Sequence, residues 1–172
     1  SAVRRMLGNL LGALQPTYEE FPDISHWTGV VNMDVMATKT DAVIIKCLDG
    51  TVQSRYFVEN YTAAKAKGIQ VSVYQWLYSG SKVSIRKQAE ALTDLLNQYP
   101  VDFGPFIDFE WTKYGGQGAN PNASDLYGML EYFNELNGWY PGIYTAKGYW
   151  DEYGNQDAYW KDKILWIANY NV

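Results

Sequence analysis

The segment Phe106-Ile107-Asp108-Phe109-Glu110-Trp111 concentrates the chemistry of this 172-residue chain. Read as a strand it has period two, so Asp108 and Glu110 share one face while Ile107 and Phe109 take the other. Two carboxylates on an apolar strand are costly to bury, and proximity and burial both hold protons on them. That is how a carboxylic acid stays protonated near neutral pH and acts as a general acid. The alternative is a pair of acids tied down by Lys or Arg at a strand end. Asp23, in Phe21-Pro22-Asp23-Ile24-Ser25-His26-Trp27, ends an earlier short apolar stretch. It reads either as a third acid at the same address or as a turn or cap residue beside Ser25.

Aromatic residues make up 16% of the chain, with 15 Tyr and 7 Trp against 6 Phe. An excess of Tyr and Trp supplies flat apolar faces that carry a polar handle. Such faces suit sugar rings, although a Tyr-rich surface without a ligand fits the composition as well.

The elements that must position these groups alternate between strand and helix. Strands are expected at Phe21–Ser25, Ala42–Leu48, Ile69–Leu77, Phe103–Trp111, Gly142–Thr145 and Ile164–Tyr170. Helices are expected from Ser54 to Gly68, along the Ile85-Ala89-Leu92-Leu96-Tyr99 stripe, and from Ser124 to Asn137-Gly138. Such alternation implies parallel strands joined by right-handed crossovers, hence an α/β fold. No GxGxxG or GxxxxGK[ST] follows the first strand, so nucleotide-binding sheets lose ground to a TIM-like β/α barrel. The Gly115-Gly116-Gln117-Gly118 cluster lacks the Lys-Ser/Thr of a phosphate loop and reads as a loop over a site. In a barrel the carboxyl ends of the strands converge on one mouth. Asp23, Asp108 and Glu110 would then share a pocket rimmed by Tyr74, Trp76, Trp111 and Tyr144. Acids plus aromatic platforms describe a glycosidase site.

Composition narrows the partners. Lys and Arg number 14 against 19 Asp and Glu, a net charge of −5, which argues against nucleic acid. No apolar run reaches the roughly 20 residues of a membrane span. A single cysteine, Cys47, and a single histidine, His26, leave no disulfide framework, Cys-based zinc site or multi-histidine metal site. Neither a metal nor a cofactor is expected. Cys47 reads as a small core residue and His26 as a turn or rim residue. The triplets Asn60-Tyr61-Thr62 and Asn122-Ala123-Ser124 match a glycosylation pattern by coincidence.

Residues 1–20 differ from the rest. Val3, Met6, Leu7, Leu10, Leu11 and Leu14 recur at helical spacing until Pro16, which predicts an amphipathic helix or linker before a barrel domain over 21–172.

At its strand motifs the chain resembles the family 25 glycoside hydrolases, the N-acetylmuramidase lysozymes. Asp23-Ile24-Ser25-His26-Trp27-Thr28-Gly29 resembles the opening strand. Ala42-Val43-Ile44-Ile45-Lys46 with Asp49-Gly50-Thr51 resembles the second, and Gly68 through Trp76 the third. Phe106 to Trp111 resembles the Asp-x-Glu strand. Gly142-Ile143-Tyr144-Thr145 and Leu165-Trp166-Ile167-Ala168-Asn169-Tyr170 resemble later ones. The resemblance spans residues 21–172. It implies a β/α barrel that cleaves the β-1,4 bond between N-acetylmuramic acid and N-acetylglucosamine at the bacterial cell wall, as a secreted or phage-associated enzyme. Glu110 would be the general acid, Asp108 would orient the reacting acetamido group, and Asp23 would support the charge arrangement. Tyr74, Tyr144 and Tyr170 would line the sugar sites, and Trp166 joins them as a binding candidate.

Two departures stand out. Gln75 occupies the third strand where many relatives carry His, and it cannot titrate. Relatives also continue into further strands bearing another mouth acid, which has no counterpart here. The chain is therefore read as a barrel cut short, with its last strands missing and two sheet edges open. A missing tail or a neighbouring chain is expected to close the gap. The alternatives to a muramidase are a chitinase-type glycosidase, disfavoured because Asp102 to Glu110 lacks the DxxDxDxE spacing, and a cell-wall-binding or structural barrel module without activity.

Overall fold

A computed structural model describes residues 3–7, 18–114 and 118–168, with residues 3–7 and 18–20 described as backbone. Six strands run parallel in one curled sheet: β2 (Tyr18–Ile24), β3 (Ala42–Asp49), β5 (Gln70–Trp76), β6 (Phe106–Phe109), β7 (Gly142–Ala146) and β8 (Leu165–Ala168). They pair in that order, and the sheet curls into a half-barrel among the described residues. The short β4 (Val52–Gln53) folds back antiparallel on β3. The fold is thus the expected α/β, TIM-like barrel in incomplete form.

Helices cover the outer face: α1 (Met33–Met36), α2 (Phe57–Ala66), α3 (Ile85–Gln98), α4 (Ala123–Asn137) and α5 (Lys147–Tyr153). Strand parity sorts the core. On β3, Val43, Ile45 and Cys47 join Val71 and Val73 of β5 and Ile107 and Phe109 of β6 in the buried layer beneath the helices. Leu92 of α3 and Met129, Leu130 and Phe133 of α4 complete it. Burial pushes the Cys47 thiol well above its usual range, and its Sγ donates to the Tyr74 carbonyl at 3.2 Å. It is a core residue, as expected.

Two helix starts differ from the expectation. Helix α4 is capped by Asn122, whose Oδ1 accepts from the Ser124 and Asp125 amides, while Asp125 bonds back to the Asn122 amide. Ser124 lies just inside the helix: its side chain is not needed once an Asn precedes it and an Asp follows at the capping-box position. Helix α2 begins at Phe57, and Ser54 lies before it with its amide bonded to the Cys47 carbonyl. At the far end of α4, Gly138 takes φ +77°, the left-handed geometry that ends a helix.

The helix predicted near the N-terminus is not what forms over Val3–Leu7. These residues make strand β1, antiparallel to β2 with Val3 opposite Pro22 and Leu7 opposite Tyr18. Leu10, Leu11 and Leu14 lie outside the described residues. The edge of β2 offers unpaired amides and carbonyls, and pairing them outweighs a helical pattern that Gly8 and Gly12 interrupt. One of the two edges expected to be open is therefore covered by the chain itself.

Candidate active site

Parallel register lines up one row of side chains across the carboxyl end of the sheet. Asp49 pairs with Trp76, Trp76 with Asp108, Asp108 with Tyr144, and Tyr144 with Trp166. Glu110 follows two residues beyond Asp108, just past the end of β6. The Thr145 hydroxyl donates to the Phe109 carbonyl at 2.8 Å and pins the backbone at that point. Below this row, Phe106 fills the barrel interior. Its ring lies so close to Gly142 that a Cβ there would sit 2.6 Å from it, and it meets Trp166 edge-on at 5.3 Å.

The mouth is a cleft with a cavity volume of about 120 Å³. Asp23, Asp108 and Glu110 all line it, as do Tyr74, Trp76, Tyr144 and Trp166. Asp108 is 4% exposed and Glu110 8%. Three acids from two distant segments thus meet at one place, in a wall that is mostly aromatic. Such an enclosed acid pair can hold and deliver a proton, and the ring faces beside it can stack a sugar.

Two sequence candidates are not seen there. Trp111 lies outside the mouth, with its ring 5.0 Å from Tyr149 and its indole N–H donating to Glu152 at 3.1 Å. Trp111 has the parity of Ile107 and Phe109, so the period that aims Asp108 and Glu110 inward turns Trp111 toward α5. Tyr149 of that helix is pinned by its hydroxyl to the Pro121 carbonyl, and burial pushes its phenol up, so it remains a donor. Tyr170 lies outside the described residues.

Four lining residues were not among the sequence candidates: Ser25, Trp27, Lys46 and Tyr114. Trp27 is 80% exposed with its ring tilted against His26 at 4.6 Å, while Tyr114 is 58% exposed. Both stand at the rim, Trp27 in a turn and Tyr114 at the end of a short 3-10 helix (Thr112–Tyr114), where strand parity gives no direction. Lys46 is a buried cation, its Nζ 2.5 Å from Asp49 Oδ1 and 5.0 Å over the Trp76 ring. It shares parity with Ile44 on the barrel face. A register shift between Lys46 and Leu48 then lets Asp49 return to the mouth side and reach it. A lysine inside an otherwise apolar strand was the available signal.

Gln75 faces the helix layer. Its Nε2 donates to the Gly50 carbonyl at 2.6 Å and the Gln88 carbonyl at 2.9 Å, so its task is to tie strand, loop and α3 together. Trp76 Nε1, by contrast, is buried with no hydrogen-bond partner among the described residues. Among those residues no group of three or more His, Cys, Asp and Glu is arranged to hold a metal ion, and no helix is long and apolar enough to cross a membrane.

An acid pair at the carboxyl edge of a curled parallel sheet, walled by aromatic rings, belongs to the class of barrel enzymes that work at their strand ends. Within that class the sequence is specific. The profile of the glycosyl hydrolases family 25 matches residues 22–172, and the chain belongs to that family. Solved structures agree at the level of fold. A muramidase from Acremonium alcalophilum shares 22% identity over 86% of this chain and 76% of its own, with a TM-score of 0.70. The bacterial lysozyme from Streptomyces coelicolor shares 21% over 87% and 73%, also at 0.70. The modular autolysin LytC from Streptococcus pneumoniae, solved with a synthetic peptidoglycan ligand, shares 14% over 76% of this chain and 33% of its own, at 0.63. No curated protein sequence matches the chain significantly.

Proposed function

We propose that the protein hydrolyses the glycan strands of bacterial peptidoglycan at the β-1,4 bond between N-acetylmuramic acid and N-acetylglucosamine. The observation that carries this reading is the meeting of Asp23, Asp108 and Glu110 in one aromatic-walled mouth, in a chain of the glycosyl hydrolases family 25. Glu110 is the general acid that protonates the leaving oxygen. Asp108, in register between Trp76 and Tyr144, accepts from the N–H of the substrate acetamido group and orients its oxygen toward the anomeric carbon. Asp23 holds negative charge opposite them as positive charge develops on the sugar. Tyr74, Trp76, Tyr144 and Trp166 support the rings, with Trp27 and Tyr114 at the rim. Trp111 and Tyr170 are not assigned a part.

Attack by the acetamido oxygen forms a cyclic intermediate that water then opens, so the anomeric configuration is retained without a second carboxylate bonding to the sugar. The substrate sets the place of action at the bacterial cell wall, for a secreted or a phage-borne enzyme alike.

Release of new reducing ends from purified peptidoglycan tests the proposal. Glu110→Gln is expected to lower the rate by about 10²-fold or more, the scale of a lost general acid. Equal release by wild type and Glu110→Gln would overturn it and leave the second reading, a wall-binding module on a half-barrel.

A further inference from the structure

A second cleft lies on the outer wall, between the first turns of α4 and the segment that follows α5. Its cavity volume is about 250 Å³, and it shares no lining residue with the mouth. Tyr127, Tyr159 and Trp160 supply its rings, and Ser124, Asn155 and Asp157 its polar rim.

The aromatic wall is held in place before any ligand arrives. The Trp160 indole N–H donates to Asn155 Oδ1, and its ring meets Trp150 at 5.3 Å and Tyr159 at 4.8 Å, both edge-on. The Tyr159 hydroxyl donates to Glu131 at 2.6 Å, and its ring stands 4.7 Å from Tyr127. Asp157 fixes the start of the turn by accepting from the Tyr159 amide at 2.9 Å. Tyr127, whose ring leans on Tyr159, is 48% exposed and so offers the rest of its ring to a ligand. Rigid rings beside short hydroxyl, amide and carboxylate groups bind with little loss of side-chain freedom.

The charge of the rim selects among ligands. None of the lining residues is basic, and Asp157 is acidic. Phosphate and carboxylate groups are repelled, and a flat, uncharged ligand rich in hydroxyl and acetamido groups is favoured. We infer that this cleft is a second carbohydrate site that holds a neutral stretch of a β-1,4-linked N-acetylhexosamine strand apart from the mouth. The inference rests on the glycan-hydrolase reading for the choice of glycan. Its consequence is retention: a chain with net charge −5 gains little from long-range attraction to an anionic wall, and a second contact on the same strand raises the local substrate concentration.

The test uses the full chain carrying Glu110→Gln, so that bound glycan survives, with and without Tyr127→Ala. Sedimentation with insoluble peptidoglycan and NMR titration with the N-acetylglucosamine tetramer read binding. Tyr127→Ala is expected to weaken retention on peptidoglycan about three- to tenfold, the size of one lost stacking contact. In the otherwise native chain it should leave kcat/KM on short soluble glycan unchanged. Tyr127→Phe should restore retention. The tetramer should shift the Trp160 indole signal in the parent and not in Tyr127→Ala. Equal retention by parent and Tyr127→Ala, at unchanged thermal midpoint, would overturn the site. Failure of the hydrolase reading looks different: no reducing ends from the native chain, with Tyr127-dependent retention intact.

Discussion

Trp76 shows how much one mouth residue is asked to do. Its ring lies beside Lys46 and takes register with Asp108, while its buried N–H has no partner among the described residues. A buried donor gains from an acceptor brought by a ligand, a gain on the order of 0.5–1.5 kcal/mol for a neutral hydrogen bond. Trp76→Phe removes the donor and leaves a smaller aromatic ring. It is expected to weaken substrate binding by about two- to tenfold with little change in kcat, and the void left beside Lys46 lowers the thermal midpoint. Titration calorimetry on a Glu110→Gln background checks it, and unchanged affinity would show that the N–H does not meet the ligand. At this scale the inward aim of Asp108 and Glu110 was legible because strand parity is a local property. The outward turn of Trp111 follows from the same parity, which outweighs the aromatic type that suits a rim.

At the scale of elements, short polar devices hold the mouth's supports in place. Asn60 is buried and ties α2 to the loop after β2, its Oδ1 accepting from the Val31 amide and its Nδ2 donating to the Gly29 carbonyl. Its place in an Asn-x-Thr triplet is therefore a packing matter. Asn122→Ala removes the side-chain half of the α4 cap and is expected to cost about 1 kcal/mol, read by urea unfolding. Asp102 clamps the approach to β6, accepting from the Val71 amide at 2.7 Å and from Lys65 at 2.9 Å. Burial alone would raise the Asp102 carboxyl, but the Val71 amide and the Lys65 ammonium outweigh it and hold it below its ordinary value. A depressed carboxylate stabilises the fold above its unfolded pKa, near 3.9, and loses that contribution as pH falls through its folded value. Stability of the wild type should thus fall on acidification below about pH 4 more steeply than that of Asp102→Asn, which should be the less stable of the two at pH 7. Thermal midpoints across pH 2–7 provide the check, and parallel curves would remove Asp102 from the account.

For the whole molecule, shape and charge decide how the mouth meets its substrate. Among the described residues β1 covers the β2 edge, while Leu165 and Ile167 on the outer face of β8 are about half exposed. The net charge of −5 opposes an anionic wall over distances comparable with the Debye length, roughly 10 Å at 0.1 M salt. Raising ionic strength from about 0.01 to 0.1 M should therefore speed hydrolysis of intact walls and leave turnover of short neutral glycan flat. A falling rate on walls would point to a basic contact surface instead.

What the sequence determined by itself was whatever depends on near neighbours along the chain. The near-continuous apolar run Ala42–Leu48, the stripe of α3 and the period of Phe106–Glu110 follow from local stereochemistry and solvation. Together they dictate parallel strands, covering helices and inward acids. The tertiary structure decided what depends on partners far apart in the chain. The register that sets Trp76, Asp108, Tyr144 and Trp166 in one row comes from pairing between strands, which no single strand encodes. Lys46 faces the mouth by parity, but Asp49 reaches it only because the pairing of β3 with β5 shifts register between Lys46 and Leu48. Val3–Leu7 became a strand because an open sheet edge offered hydrogen bonds that a helical pattern could not foresee, and the outer cleft exists only where α4 and the segment after α5 come together.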